Sequence, residues 1–142
     1  DEKWYINTNQ SFAFADGTVT ASYGTATPKE HVDRNGTDKD GVELNPVVVI
    51  EGLKTNLIRD LKTNVANELA KTDWYITRNT EKSTAIPSAI STHRDAVRTK
   101  QANMETAITN AADTAALETL HTYTTTDGVQ SRPLGELPVL ES

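Results

Sequence analysis

The sequence predicts an α+β fold in which a small antiparallel β-meander precedes a helical module. Three observations carry this prediction. Residues 1–27 hold short aromatic and β-branched runs around an Asp-Gly pair, which favours a tight hairpin turn. Residues 46–123 space their apolar side chains by three, four and seven, as helices do. Residues 28–45 form a polar linker without such spacing, and residues 124–142 form a proline-containing extended tail.

Composition narrows the function classes before any motif is considered. The chain has 142 residues and a formal net charge of -6, so a phosphate backbone would be repelled and nucleic-acid binding is not expected. Cysteine is absent, which excludes disulfides, thiol catalysis and cysteine-bound zinc. No apolar run approaches the roughly 20 residues of a membrane span. Hydrophobic residues make up 36% of the chain and threonine occurs 22 times, so we expect a thin core.

The N-terminal segment is expected to form two or three strands. Ser11–Phe14 and Thr18–Tyr23 flank Ala15-Asp16-Gly17, and glycine tolerates the positive φ that a two-residue hairpin loop requires. Such a small sheet cannot bury both faces by itself. Its aromatic side chains are therefore expected to meet another surface.

The first helix is expected to begin at Asn45 and Pro46, which suit the N-cap and first helical positions. It should end near Lys71, with Thr72 and Asp73 as the break. Its apolar stripe comprises Ile50, Leu53, Leu57, Leu61, Val65 and Leu69.

Trp74 follows that break and precedes a polar loop over residues 77–85, so we expect it to be buried and to close the end of a helix pair. Truncation of a buried Trp costs about 3–5 kcal/mol. Trp74→Ala should therefore unfold the helical module, whereas unchanged thermal unfolding would indicate an exposed Trp74 on a binding face.

A second helix is expected from Pro87, with a narrow coiled-coil-like seam. Its two heptad rows are Ile90, Val97, Met104 and Ala111, and Arg94, Gln101 and Ile108. Asn110 resembles the N-cap of a short third helix that runs from Ala112 to about Tyr123. In that helix Ala116, Leu117 and Leu120 are expected to face the core.

Two groups of apolar residues lie on segments too small to bury them, so they are the predicted protein contacts. They are Trp4, Tyr5, Phe12 and Phe14 near the N-terminus, and Leu134, Leu137, Val139 and Leu140 in the tail. Deletion of residues 129–142 is expected to weaken assembly and to leave the helices intact. If the helices unfold instead, the tail packs on its own chain.

Motifs for catalysis or metal binding are weak. An EF-hand loop that starts at Asp33 would lack both its glycine and its bidentate glutamate. A looser calcium site from Asp33, Asn35, Asp38 and Asp40 stays open. His31, His93 and His121 form no ligand pair, and no nucleophile elbow, P-loop or dinucleotide fingerprint occurs. We therefore expect no cofactor, no metal and no enzymatic activity.

The central segment resembles a known family. The matching runs are residues 57–62, residues 67–78 with Leu-Ala-Lys-Thr-Asp-Trp, and residues 86–98 with Ile-Pro followed by Arg94-Asp95-Ala96-Val97-Arg98. These runs resemble small bacteriophage tail proteins of the tail assembly chaperone and tail-fibre-associated type. In that family the Thr72-Asp73-Trp74 equivalent is a structural turn between two helices, and an aromatic residue stands where this chain has His93. The resemblance covers about a third of the chain.

The resemblance implies a non-enzymatic structural or adaptor protein of the tail fibre or baseplate. Its partners would be other tail proteins, in a homo-oligomer or larger assembly, and it would be found in the virion and, during assembly, in the host cytoplasm. One alternative is a fibre assembly chaperone that leaves before the virion is complete. Another is a carbohydrate-binding receptor protein that uses the N-terminal aromatics.

Overall fold

A computed structural model describes residues 1–140, and the fold over this range is α+β, as predicted. The helices are α1 (Leu53–Ala70), α2 (Asp73–Lys82), α3 (Ser88–Asn110) and α4 (Thr114–His121). The strands are β1 (Tyr5–Ile6), β2 (Ser11–Ala15), β3 (Thr18–Ser22), β4 (Thr27–Pro28), β5 (Arg34–Asn35), β6 (Val49–Ile50), β7 (Thr124–Thr126) and β8 (Val129–Ser131).

The predicted N-terminal hairpin is present. Strands β2 and β3 pair antiparallel, with Ala15 opposite Thr18 and a two-residue loop between them. Asp16 and Gly17 both adopt positive φ, as the favoured hairpin turn requires. The hairpin has two strands, the smaller number expected, and β1 pairs with β4 in a separate two-stranded sheet.

The predicted start of the first helix is also wrong. Residues 46–50 are not helical, and β6 pairs with β5, which lies inside the predicted linker. Four consecutive β-branched residues, Val47–Ile50, favour this extended backbone. Helix α1 begins only after Gly52, where a Cβ would overlap the backbone of Val32. Asn45 is consequently not its N-cap.

Apart from Ile50, which lies in β6 and is exposed, the helical pairing follows the predicted stripes. Leu61 and Val65 of α1 are buried against α3, and Leu53, Leu57 and Leu69 pack around the same core. Both heptad rows of α3 face inward: the buried members are Ile90, Arg94, Val97, Met104 and Ile108, with Ala111 following the helix, while Gln101 is half-buried.

Two local predictions need correction. The segment 77–85, expected as a loop, is largely helix α2, whose acidic Asp73 and basic Lys82 match the helix dipole. Ser83 then ends α2 in a left-handed conformation. Helix α4 is capped by Asp113, not Asn110, since the Asp113 carboxylate accepts a 2.8 Å hydrogen bond from the Ala116 N–H.

The tail folds back onto the core. Strands β7 and β8 form a second hairpin around Asp127 and Gly128, so the tail is not extended throughout as expected. The chain then returns to the helices, where the Leu134 N–H donates to the Leu120 carbonyl at 3.0 Å. The buried core unites both ends of the described chain with α1, α3 and α4: Trp4, Leu61, Val65, Val97, Met104, Ile108, Ala111, Leu117 and Leu134.

Candidate functional site

Trp4 and Tyr5, predicted as contacts with a neighbour, pack within the chain itself. Trp4 is only 3% exposed, and its ring lies 5.3 Å from that of His121. The Tyr5 hydroxyl donates to the Glu118 carboxylate at 2.9 Å, and this hydrogen bond raises the pKa of Tyr5. The prediction that Trp4 contacts a neighbour is wrong, because β1–β4 pairing carries it into the core. Tyr5 is half-buried, with its polar group already bound.

Phe12 and Phe14 remain available for contacts. They are 68% and 74% exposed, and every residue of β2 and β3 is exposed. Phe12 lies opposite Ala21, and Phe14 lies opposite Val19. Directly opposed residues share a face of the sheet, so these four side chains form one apolar surface, which we call the hairpin face.

The predicted tail contacts divide between core and surface. Leu134 is 5% exposed and belongs to the core, so its predicted role as an external contact is wrong. Leu137 is half-buried against the same core. Leu140 is half-buried and lines, together with Ala89, a shallow depression at the start of α3. Val139 stays exposed, and Glu141 and Ser142 lie outside the described residues.

The Thr72-Asp73-Trp74 turn is held by an arginine rather than by its tryptophan. The Nη1 atom of Arg94 donates to the Leu69 carbonyl at 2.8 Å, to Thr72 Oγ1 at 2.7 Å and to Asp73 Oδ1 at 2.8 Å. Arg94 and Thr72 are both buried. One guanidinium therefore ties the end of α1 and the start of α2 to the second turn of α3.

Trp74 itself is 51% exposed, so the expectation that it is buried is wrong. Trp74 is exposed because α2 as a whole lies outside the core, with none of its side chains buried. The Tyr75 ring lies 4.1 Å from the Trp74 ring, and the Arg78 guanidinium lies 5.6 Å from it. We call Trp74, Tyr75 and Arg78 the aromatic patch. Trp, Tyr and Arg are the residue types enriched in energetically important protein contacts.

A second surface lies where the sequence predicted helix. Val47, Val48, Val49 and Ile50 are all exposed, and we call these four residues the valine strip. Within the described residues β6 pairs with β5 alone, so its other edge has no strand partner. Sequence reasoning missed this strip because Pro46 was interpreted as a helix start. The run of four β-branched residues was the signal that could have found it.

In the acidic linker, Asp33 and Asp38 bind hydrogen-bond donors of the chain itself. Asp33 Oδ1 accepts hydrogen bonds from the Gly52 N–H and from Thr55 Oγ1, each at 2.7 Å, and these bonds lower the pKa of Asp33. Asp38 Oδ1 accepts from the Asp40 and Val42 N–H groups, each at 2.9 Å. Over residues 1–140, no group of three or more His, Cys, Asp or Glu side chains is placed to hold a metal ion.

One buried acid–base pair bridges α1 and α3. His93 Nε2 lies 3.3 Å from Glu68 Oε1, and both side chains are largely covered. Lys71 also binds Glu68, and this contact is the main cause of a lowered pKa for the Glu68 carboxyl. Within the described residues, neither His93 Nε2 nor Glu68 Oε1 has an aligned hydrogen bond, although both atoms are buried between the two packed helices.

Comparison with known proteins identifies no relative of this chain. No protein-family model, curated protein or solved structure matches the chain. Among the described helices, none combines the length and apolar character that crossing a bilayer would take. The candidate site is therefore defined by three exposed surfaces: the hairpin face, the aromatic patch and the valine strip.

Proposed function

We propose that this chain is a non-enzymatic structural or adaptor protein of a bacteriophage tail, at the fibre or baseplate, and that it acts through protein–protein contacts. The observation that carries the proposal is the hairpin face. Exposed and buried residues do not alternate along β2 and β3, because both faces of this hairpin lie outside the core. Phe12, Phe14 and Val19 are therefore all exposed.

Covering the hairpin face would stabilise the hairpin as well as the contact. A two-stranded hairpin is marginally stable by itself in water. Burial of one Phe side chain is worth roughly 1.5–3 kcal/mol. A partner that covers Phe12 and Phe14 therefore supplies the packing that the hairpin lacks.

The hairpin face also defines the chemistry of its partner. Residues 10–23 carry Asp16 as their one charged side chain, and Asp16 lies in the turn, not in a strand. The complementary surface should therefore be apolar and uncharged. An exposed apolar patch of this kind typically marks a protein contact.

Assignment to a phage tail rests on the resemblance of residues 57–98 to tail assembly chaperone and tail-fibre-associated proteins. The structure is compatible with that resemblance, because Thr72 separates α1 from α2 and Asp73 is the first residue of α2. The interaction role and the phage-tail assignment are thus supported by different observations.

Mass spectrometry of purified particles of the phage that encodes this chain tests the assignment. We expect the chain in the particles at a fixed ratio to other tail proteins. Presence in the infected lysate together with absence from particles would contradict this and favour the assembly chaperone alternative.

A matched pair of variants tests the contact itself. Phe12→Ser combined with Phe14→Ser should exclude the chain from particles without lowering its melting temperature. Ala13→Ser, on the opposite face of β2, should be incorporated normally. Equal incorporation of both variants would show that the hairpin face is not the contact.

The carbohydrate-binding alternative has less support. Trp4 is buried and the Tyr5 hydroxyl is bound to Glu118, which leaves Phe12, Phe14 and Tyr23 as the exposed aromatics of the N-terminal segment. Phenylalanine has no polar group with which to fix a sugar. We therefore retain the protein-contact proposal.

A further inference from the structure

We propose that copies of this chain associate head to tail, with the aromatic patch of one copy bound to the valine strip of the next. The proposal is independent of the phage-tail assignment, since it concerns surfaces other than the hairpin face. It commits to a second copy of the chain as the occupant of both surfaces.

The two surfaces lie at opposite ends of one rigid element. The valine strip ends at Ile50, three residues before α1 begins, and the aromatic patch starts at Trp74, four residues after α1 ends. Helix α1 has 18 residues and is therefore about 27 Å long. The surfaces cannot reach each other within one copy.

Their charges are complementary. The region around the valine strip, residues 30–51, has six acidic and two basic side chains and a net charge of -4. The acidic residues are Glu30, Asp33, Asp38, Asp40, Glu43 and Glu51, against Arg34 and Lys39. Residues 71–82 have three basic and two acidic side chains and a net charge of +1. Lys71 is already paired with Glu68 and Asp73 with Arg94, so the unpaired charges there are Arg78, Glu81 and Lys82. Opposite potentials favour encounter between these ends and oppose contact between like ends.

Both surfaces also have the apolar content that a contact needs. The valine strip offers four consecutive exposed β-branched side chains and an unpaired strand edge, which natural proteins usually cover. The aromatic patch offers Trp74 with Ile76, which is also exposed. When Trp74 of one copy packs against the valine strip of the next, both apolar surfaces are removed from water.

The contact joins different surfaces, so it is heterologous. A heterologous contact leaves one free copy of each surface at the ends of every open oligomer. Copies therefore add in one direction, and the result is either a closed ring or an open chain. A dimer that pairs the valine strip with itself would bring like charges together, and this opposes such a contact.

Two blocked variants of the full-length chain test this directly. Trp74→Ala with Arg78→Glu blocks the aromatic patch, and Val47→Lys with Val49→Lys blocks the valine strip. Wild-type protein should show concentration-dependent oligomers in sedimentation velocity. Each blocked variant alone should be monomeric, with an apparent Kd raised about tenfold or more. An equal mixture should form a dimer and nothing larger, because one intact pair of surfaces remains.

Controls separate this result from unfolding or general charge effects. Lys62→Gln removes a charge from the exposed side of α1, where Lys62 Nζ lies 4.0 Å from Glu105 Oε2, and should leave association unchanged. If the lysine variant loses its helical circular dichroism, Val47→Thr with Val49→Thr replaces it. A monomeric wild type at all concentrations, self-association of either blocked variant, or a mixture that stays monomeric would each overturn the proposal. Normal virion incorporation does not bear on these outcomes.

Discussion

The two tryptophans show at the scale of single residues how far local sequence determines environment. Trp4 follows three charged residues, Asp1, Glu2 and Lys3, yet it is buried. Trp74 lies amid helical stripes and is exposed. The Trp4 carbonyl accepts a hydrogen bond from the Lys29 N–H at 2.9 Å, so a contact 25 residues away along the chain holds it in place. No local pattern carries that information.

Substitution of these tryptophans should therefore give opposite results. Trp4→Ala should lower the free energy of unfolding by about 3–5 kcal/mol, because it leaves a large cavity in the core. Trp74→Ala should change it by no more than about 0.5 kcal/mol, as exposed positions usually do. Urea denaturation followed by circular dichroism measures both. A larger loss for Trp74→Ala than for Trp4→Ala would contradict the structure.

At the scale of elements, one buried polar side chain organises the connection between α1 and α2. Helix α2 buries none of its side chains, so apolar packing does little to position it. Arg94 instead binds three oxygen atoms at the α1–α2 turn through one nitrogen. The heptad spacing of α3 placed Arg94 in the inward-facing row, and this part of the site was predictable from sequence.

Replacement of Arg94 should loosen that connection. Arg94→Ala leaves the Leu69 carbonyl and the Thr72 hydroxyl without their charged donor, which should cost about 1.5–3 kcal/mol of stability. Hydrogen exchange should accelerate most in residues 73–82. Arg98→Ala, one turn further along α3 on its exposed side, is the matched control and should leave exchange in α2 unchanged. Equal effects of the two substitutions would refute the role of Arg94.

At the scale of the whole molecule, the thin core is closed by the two ends of the described chain. Trp4 and Leu134 join the residues contributed by α1, α3 and α4. The tail is thus part of the folding unit. The prediction that its apolar residues bind a neighbouring protein is wrong for Leu134. Deletion of residues 129–142 should therefore destabilise the helices as well as any assembly.

Single substitutions in the tail can separate these effects. Leu134→Ala should reduce the free energy of unfolding by about 2–5 kcal/mol, as for other large-to-small changes in a core. Val139→Ala, at an exposed position of the same segment, should leave stability within about 0.5 kcal/mol of wild type. Thermal unfolding of both variants checks this, and a stable Leu134→Ala protein would show that the tail does not close the core.

Sequence alone determined the elements that depend on short-range patterns. The β2–β3 hairpin followed from Asp16-Gly17, and the inward faces of α1 and α3 followed from spacings of three, four and seven. Only the tertiary structure decided which apolar residues outside those patterns are buried. Trp4 and Leu134 are buried by contacts with distant parts of the sequence, whereas Phe12, Phe14, Trp74 and the valine strip stay exposed in the described part of the chain. Burial of an isolated apolar residue depends on the whole packed molecule, since its neighbours come from distant parts of the sequence.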